Sequence, residues 1–282
     1  MALVKTPLTL ILLVASLLRA NNLGIINNNQ LDRTLAELYF QPYPEFSREA
    51  LAFRFPNFDH FIRPAGPLRV TIQVGHLLNA DAPTAISSAG SAATSVTADE
   101  VLPLELSQLG RHGGAQVGTL REVEINRAVA EQVRRRLTER GYQVTVLSAV
   151  IPAEHYADAF IAIHADANNP DLSGFLISTP AVDYSGRGDQ LREAIADHYW
   201  RATDLLRLPY ASEAMTHYYA FNWSHFKHAL HPATPAIIIE VGNLNNLNDL
   251  AALTLRQDQV AQGIVDGLET FFHQPTAAII QR

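Results

Sequence analysis

Three stretches of this chain read as strands that end on a polar residue able to do chemistry, and two of them are apolar without alternation. Phe160, Ile161, Ala162 and Ile163 lead into His164, Ala165 and Asp166; residues 68–74 lead into Gly75 and His76; residues 235–239 lead into Glu240, Val241 and Gly242. Short apolar runs of this kind predict strands covered on both faces, as in the middle of a parallel sheet, and hence an α/β fold. Ligands of open α/β sheets bind beyond the carboxyl ends of the strands. The pattern therefore places two imidazoles, His76 and His164, and one carboxylate, Glu240, on one rim. A lone histidine after an apolar strand is an ordinary structural residue, so it is the repetition that singles out the rim. A carboxylate behind three isoleucines costs several kcal/mol to bury unless a cation, a metal or a catalytic role partners it.

Between the first two of these strands the period changes. Ile125, Val129, Val133 and Leu137 recur every fourth residue within 118–137, and Gly141 follows, which predicts an amphipathic helix with one buried stripe and a glycine stop. Arg134, Arg135, Arg136 and Arg140 form its solvated face. Glu122 falls in the first turn, where two readings stand side by side. Spaced S/T-x-x-E from Thr119, it can close a capping box. At the start of a helix that follows a strand, it can equally reach the rim of His76 and His164 and serve as a metal carboxylate. Residues 143–147 read as a further short strand, 191–206 as a helix, and 260–268 as a closing helix. The last is reached through an Asn-rich loop over 243–249, whose side chains suit exposed helix amides.

Two stretches break the α/β pattern. Residues 79–100 are rich in Ser, Ala and Thr without periodicity, supply no packed face, and read as a surface insertion, either a lid next to His76 or a tolerated loop. Residues 217–231 are dense in aromatics and histidines. His225 and His228 have a helical spacing, but no HExxH pattern or carboxylate accompanies them, so they read as substrate contacts or packing.

Lys5 precedes an apolar run over 8–18 that Arg19, Asn21 and Asn22 close. The run is too short for a bilayer span of about 20 residues and has the layout of a secretory signal. Residues 1–20 are expected to be a signal peptide or, uncleaved, an N-terminal membrane anchor, and the protein extracytoplasmic. Residues 21–66, with prolines and aromatics interleaved over 39–44 and 53–58, read as an extension packed on the main domain, with an aromatic platform for sugar rings as the alternative. The 282 residues, 48% hydrophobic, can bury one large domain. Without cysteine, disulfides and thiolate nucleophiles are excluded, and a metal must be held by His, Asp or Glu. A net charge of −7 lacks the basic footprint of a nucleic-acid binder.

Gly75 with His76, Gly118 with Glu122 and Asn126, Ala162 with His164 and Asp166, and Ile239, Glu240 and Gly242 with Leu244 and Asn246 resemble, in order and placement, the motifs of the zinc-dependent N-acetylmuramoyl-L-alanine amidases of the amidase-3 type. The resemblance covers residues 67–273. It implies a single α/β domain over 67–275, interrupted by the 79–100 insertion, with a central, largely parallel mixed sheet flanked by helices. Residue by residue, it implies that His76, Glu122 and His164 hold Zn2+ and that Glu240 is the catalytic carboxylate. Two His and one carboxylate leave a fourth position open, as in catalytic rather than structural zinc sites. The implied reaction is hydrolysis of the amide between the lactyl group of N-acetylmuramic acid and L-alanine of the stem peptide. The implied partner is peptidoglycan, with no nucleic acid, and with a membrane only through an uncleaved N-terminal anchor; the implied location is secreted, in the cell wall, or on the outer face of the membrane.

Two positions depart from the family pattern. Where the family continues its first histidine with Gly-Gly, Leu77, Leu78 and the insertion follow His76. A Gly-Gly pair, Gly113 and Gly114, instead follows His112, which makes His112 a rival first ligand; a strand leads into His76, however, and a helix-like stretch over 104–109 precedes His112. Asn243 stands where an aromatic usually follows the last glycine. The fold would also suit a catalytically silent peptidoglycan-binding or regulatory protein, or a zinc peptidase acting on stem peptides.

Overall fold

The computed structural model describes residues 48–77, 114–167, 169–224, 226 and 228–274. The 1–20 segment, the 79–100 tract, His112 and His225 lie outside them. The chain divides into two compact units, residues 1–54 and 55–282. The described part of the first is one helix, α1 (Arg48–Arg54); all other elements belong to the second.

Five strands form one sheet in the order β4-β1-β5-β7-β6. They are β1 (Arg69–Val74), β4 (Gln143–Leu147), β5 (Ala159–Asp166), β6 (Leu176–Ser178) and β7 (Ala236–Asn243). Of the four ladders in this order the first three run parallel, and in the last β6 pairs antiparallel with β7. The sheet is therefore largely parallel and mixed. In β5, the central strand, all but the last residue are buried, which is why its sequence shows no alternation. A short hairpin, β2 (Gln116–Val117) and β3 (Leu120–Arg121), leads directly into α2 (Glu122–Glu139).

The two faces of the sheet have different covers. Ala159, Ile161, Ile163 and Ala165 of β5 join Val70, Ile72 and Val74 of β1 and Ile237, Ile239 and Val241 of β7 in one core. Its other half comes from the helices α2, α3 (Gly188–Thr203), α5 (Leu247–Leu255) and α6 (Gln257–His273). Phe160, Ala162, Ala236 and Ile238 point the other way, into a second core with Ile151, Met215, Tyr218, Tyr219, Phe221 and Leu230. This cover is built from α4 (Glu213–Thr216) and a 3-10 turn over Tyr219–Phe221. Because strand side chains alternate, Gln73, His164 and Glu240 have the parity of this aromatic face.

The expected stripe of α2, Ile125, Val129, Val133 and Leu137, is buried. The helix ends in a Schellman turn: Gly141 sits at φ +87, its amide donates to the Thr138 carbonyl at 3.0 Å, and that of Tyr142 donates to Leu137 at 3.1 Å. Helix α3 covers 188–203 rather than 191–206. The Asp183 side chain accepts the Gly188 amide at 2.6 Å at its start, and Asp204, in the left-handed region at φ 60, ends it before the apolar pattern does. Within the second unit, Phe55 packs edge-on against Trp223 with centroids 5.5 Å apart, and Phe61 lies 4.7 Å from Tyr156.

Candidate metal centre

The parallel ladder between β1 and β5 runs one residue past β1, where the Gly75 amide donates to the Ile163 carbonyl at 2.9 Å. His76 then takes φ 61, a conformation sparsely used by non-glycine residues, and its Nε2 lies 3.4 Å from Glu122 Oε1. Gly75 has no substitute here, since a Cβ would stand 2.4–2.6 Å from three atoms of the His164 ring. The imidazole of one ligand candidate occupies the space left by the residue before another.

Glu122 is the first residue of α2. The capping-box reading with Thr119 does not hold: Thr119 lies in the hairpin turn, Arg121 is the N-cap residue, and it is Glu124 that accepts the Arg121 amide, at 3.2 Å. Freed from capping, the Glu122 carboxylate is buried and held on several sides. Its Oε2 accepts the Ala115 amide at 2.8 Å, and its Oε1 accepts from Asn126 Nδ2 and the Ala165 amide, each at 3.2 Å. Gly114, at φ +75, gives way to it, because a Cβ there would come within 2.4 Å of Oε2. Glu122 Oε1 also lies 3.1 Å from His164 Nδ1.

His164, near the end of β5, is register partner to Glu240 on β7, so these side chains emerge together on the aromatic face of the rim. The Nε2 of His164 is 3.3 Å from the Tyr218 hydroxyl. Nδ1/Nε2 atoms of His76 and His164 and a carboxylate oxygen of Glu122 lie within 4.8 Å of one another. Two imidazole nitrogens and a carboxylate oxygen converging on one point are the donor set of a three-ligand catalytic zinc site. The chemistry of the donors and their spacing fit a divalent cation.

The electrostatics separate the two glutamates. Burial alone would raise Glu122, but the hydrogen bond and charge of His164, the charge of His76 and the Ala115 amide bring it down to about 2. For His164, burial works against the charged ring, and its hydrogen bond to Glu122 with the charges of Glu240 and Glu122 outweigh this and raise it. Glu240 is pushed up to about 8, first by burial and then by the charges of Glu122 and Asp166, against the pull of His164. One glutamate is thus a fixed anion, and the other can carry a proton at neutral pH.

His228 takes no part: it is buried, with Nδ1 3.0 Å from the Ile151 carbonyl. The groups to which sequence reasoning gave no role at the site are those behind the front row. Asn126 braces Glu122 and also donates to the Gly75 carbonyl at 3.2 Å, and Gln73 and Tyr218 stand behind His164. Gln73 carried no signal in the sequence, since it alternates with Arg69 and Thr71 like a solvent-facing residue, yet it is fully buried.

Residues 108–270 match the protein-family model for N-acetylmuramoyl-L-alanine amidase, Amidase_3. The match contains Glu122, His164 and Glu240 and begins after His76. No curated protein matches the chain by sequence. Among solved structures, the chain is similar to the N-acetylmuramoyl-L-alanine amidase AmiC2 of Nostoc punctiforme, at 18% identity over 75% of this chain and 100% of that one, with a TM-score of 0.48. It is also similar to the catalytic domain of the amidase CwlV from Bacillus (Paenibacillus) polymyxa, at 19% identity over 73% and 98% of the two chains, with a TM-score of 0.47. A third is Ami1 of Mycobacterium smegmatis, at 18% identity over 72% and 96%, with a TM-score of 0.45.

Proposed function

Because the chain belongs to the N-acetylmuramoyl-L-alanine amidase family and is an enzyme hydrolysing the amide between N-acetylmuramic acid and L-alanine of peptidoglycan, we propose that His76, Glu122 and His164 hold Zn2+ and that Glu240 moves the protons of the reaction. The observation that carries this reading is the convergence of the three donor groups within 4.8 Å beside a carboxyl pushed up to about 8. When bound, zinc supplies Lewis-acid polarisation of the amide carbonyl and acidifies water to near neutral pKa.

The protein's own residues do the rest. Glu122, a permanent anion, offsets the charge of the cation. The protein holds it by three amide donors besides His164, so the carboxylate is in place before the metal arrives. Glu240 accepts a proton from the attacking water and returns it to the departing amine, the general-base and general-acid roles open to a carboxyl beside the donor set. His76, the most exposed of the three ligand candidates at 22% of its side chain, lines the side from which substrate enters.

The short apolar run over 8–18 supports export of the enzyme to the peptidoglycan side of the membrane. Among the described residues, no helix is long and apolar enough to cross a membrane.

The test is mass-spectrometric analysis of peptidoglycan digested by the purified protein with zinc, with chelator, and as Glu240→Ala. Free stem peptides beginning at L-alanine, absent from both controls, are expected. Undiminished release in the presence of chelator, or by Glu240→Ala, would overturn the assignment.

A further inference from the structure

Behind His164 runs a chain of polar groups that ends on a backbone carbonyl, and its direction can be worked out from that end. A carbonyl oxygen only accepts. The group of Gln73 that lies 2.9 Å from the Ala149 carbonyl is therefore its NH2, which settles the orientation of an amide whose two ends are otherwise alike. The Gln73 carbonyl Oε1 must then face the other way, where it lies 2.9 Å from the Tyr218 hydroxyl. An amide oxygen also only accepts, so Tyr218 donates its proton to Gln73. The Tyr218 oxygen is left with lone pairs toward His164 Nε2, 3.3 Å away. The ring nitrogen that meets it must carry the hydrogen.

We infer that the Ala149 carbonyl, acting through Gln73 and Tyr218, fixes His164 as the Nε2–H tautomer, so that its Nδ1 lone pair is presented to the metal. Nδ1 lies 3.1 Å from Glu122 Oε1, on the side of the ligand cluster; without a cation it donates to that carboxylate, and it is this proton, not the one held on Nε2, that leaves when Nδ1 takes the metal. The inference rests on the proposed metal centre and deepens it by assigning Gln73 and Tyr218 as positioning residues. The relay has the setting it needs. Gln73 is fully buried and Tyr218 nearly so, which leaves neither group an alternative partner in bulk water. The rings of His164 and Tyr218 meet edge to face, with centroids 5.5 Å apart at 83°, so the two side chains pack directly against each other. Tyr219, whose hydroxyl also donates to the Ala149 carbonyl and accepts from Gln73, closes the far end. Groups placed behind a metal-ligating histidine in this way set its tautomer and orientation, and their removal weakens metal binding by about 10- to 100-fold.

Two measurements test this on the intact protein. Long-range 1H–15N correlation spectra of the 15N-histidine-labelled, zinc-loaded protein should show His164 with its proton on Nε2; a proton on Nδ1, with Nε2 bare, overturns the relay. Zinc affinity by chelator competition should fall about 10- to 100-fold in Tyr218→Phe. It should also fall in Gln73→Met, although Gln73 does not touch His164. Tyr199→Phe is the control, since it removes an equally buried hydroxyl that donates to the Val241 carbonyl on the helix-covered side of the sheet; its affinity should match wild type. Equal losses in all three variants, or none in Tyr218→Phe, overturn the relay alone. Failure of the wild-type protein to bind zinc overturns the metal centre itself.

Discussion

His164 and Glu240 are register partners across the β5–β7 ladder, and this pairing puts an imidazole and a carboxylate on the same face of adjacent parallel strands. A shift of one residue in either strand would send one of them into the helix-covered core. Their proximity is a property of the sheet, so a substitution at Glu240 can be made without dismantling the proposed ligand cluster. Glu240→Gln is expected to lower the hydrolysis rate about 10²- to 10⁴-fold while zinc content stays near that of the parent. Rates on purified peptidoglycan alongside metal analysis by mass spectrometry check both halves; a variant that keeps its rate would remove Glu240 from the reaction.

Gly75→Ala probes the packing between the proposed ligands His76 and His164. The added methyl would stand 2.4–2.6 Å from the His164 ring, which is closer than carbon atoms tolerate, and the ring is hemmed in by Tyr218 on its other side. We expect zinc affinity to fall at least about tenfold, since displaced ligands and lost outer contacts have effects of that order, with the helical circular dichroism preserved. Unchanged affinity in a chelator competition would mean that the rim relaxes more than the geometry allows.

Metal removal should expose the strain of collecting these groups. Without a cation, Glu240 is pushed up to about 8, first by burial and then by the charges of Glu122 and Asp166. Zinc bound to the native state alone stabilises by about 4 kcal/mol at a free concentration about 1,000 times its Kd. The melting temperature should therefore drop on chelation and recover with the logarithm of added zinc. Thermal melts across a zinc series decide this, and a melting temperature indifferent to zinc and chelator would count against the centre.

Acid stability should report on His155, which precedes β5 and so lies at the opposite end of that strand from the proposed metal centre. Its pKa is lowered to about 4, first by burial and then by the charge of Arg69, and its Nε2 is 2.8 Å from Thr71 Oγ1. The unfolded chain takes up this proton near its ordinary value of about 6.5, whereas the folded protein resists until about 4. Stability from this residue is complete above about 6.5 and is lost as the pH falls toward 4, because the unfolded state binds more protons in that window. The residue as a whole keeps some exposure, which screens the effect, so the loss is of order 2 kcal/mol. His155→Gln should flatten the fall in denaturation midpoint between pH 6.5 and 4 relative to the parent; parallel curves would show that the burial penalty lies elsewhere.

The sequence by itself determined the parallel sheet and its rim. Runs such as 160–163 lack alternation because β5 is covered on both faces, and that reason is local enough to be read from one strand. The stripe and stop of α2 were legible for the same cause, since Ile125 to Leu137 and Gly141 act within a few turns of each other. The two readings of Glu122 could not be separated at that level. Whether a carboxylate caps its own helix or turns to a neighbour depends on where the helix begins, and here the hairpin of β2 and β3 shifts that start past Thr119 and gives the cap to Arg121 and Glu124. Nor could the sequence show that Gln73, His164 and Glu240, on three strands 91 and 76 positions apart in the chain, share one face. Strand parity is local, but which strands are neighbours, and in which register, is decided by how the helices and the aromatic turns cover the sheet. The tautomer of His164 lies still further from the sequence. It follows from a backbone carbonyl at Ala149 reached through Gln73 and Tyr218, and hydrogen-bond direction exists only once donors and acceptors have been brought together by folding.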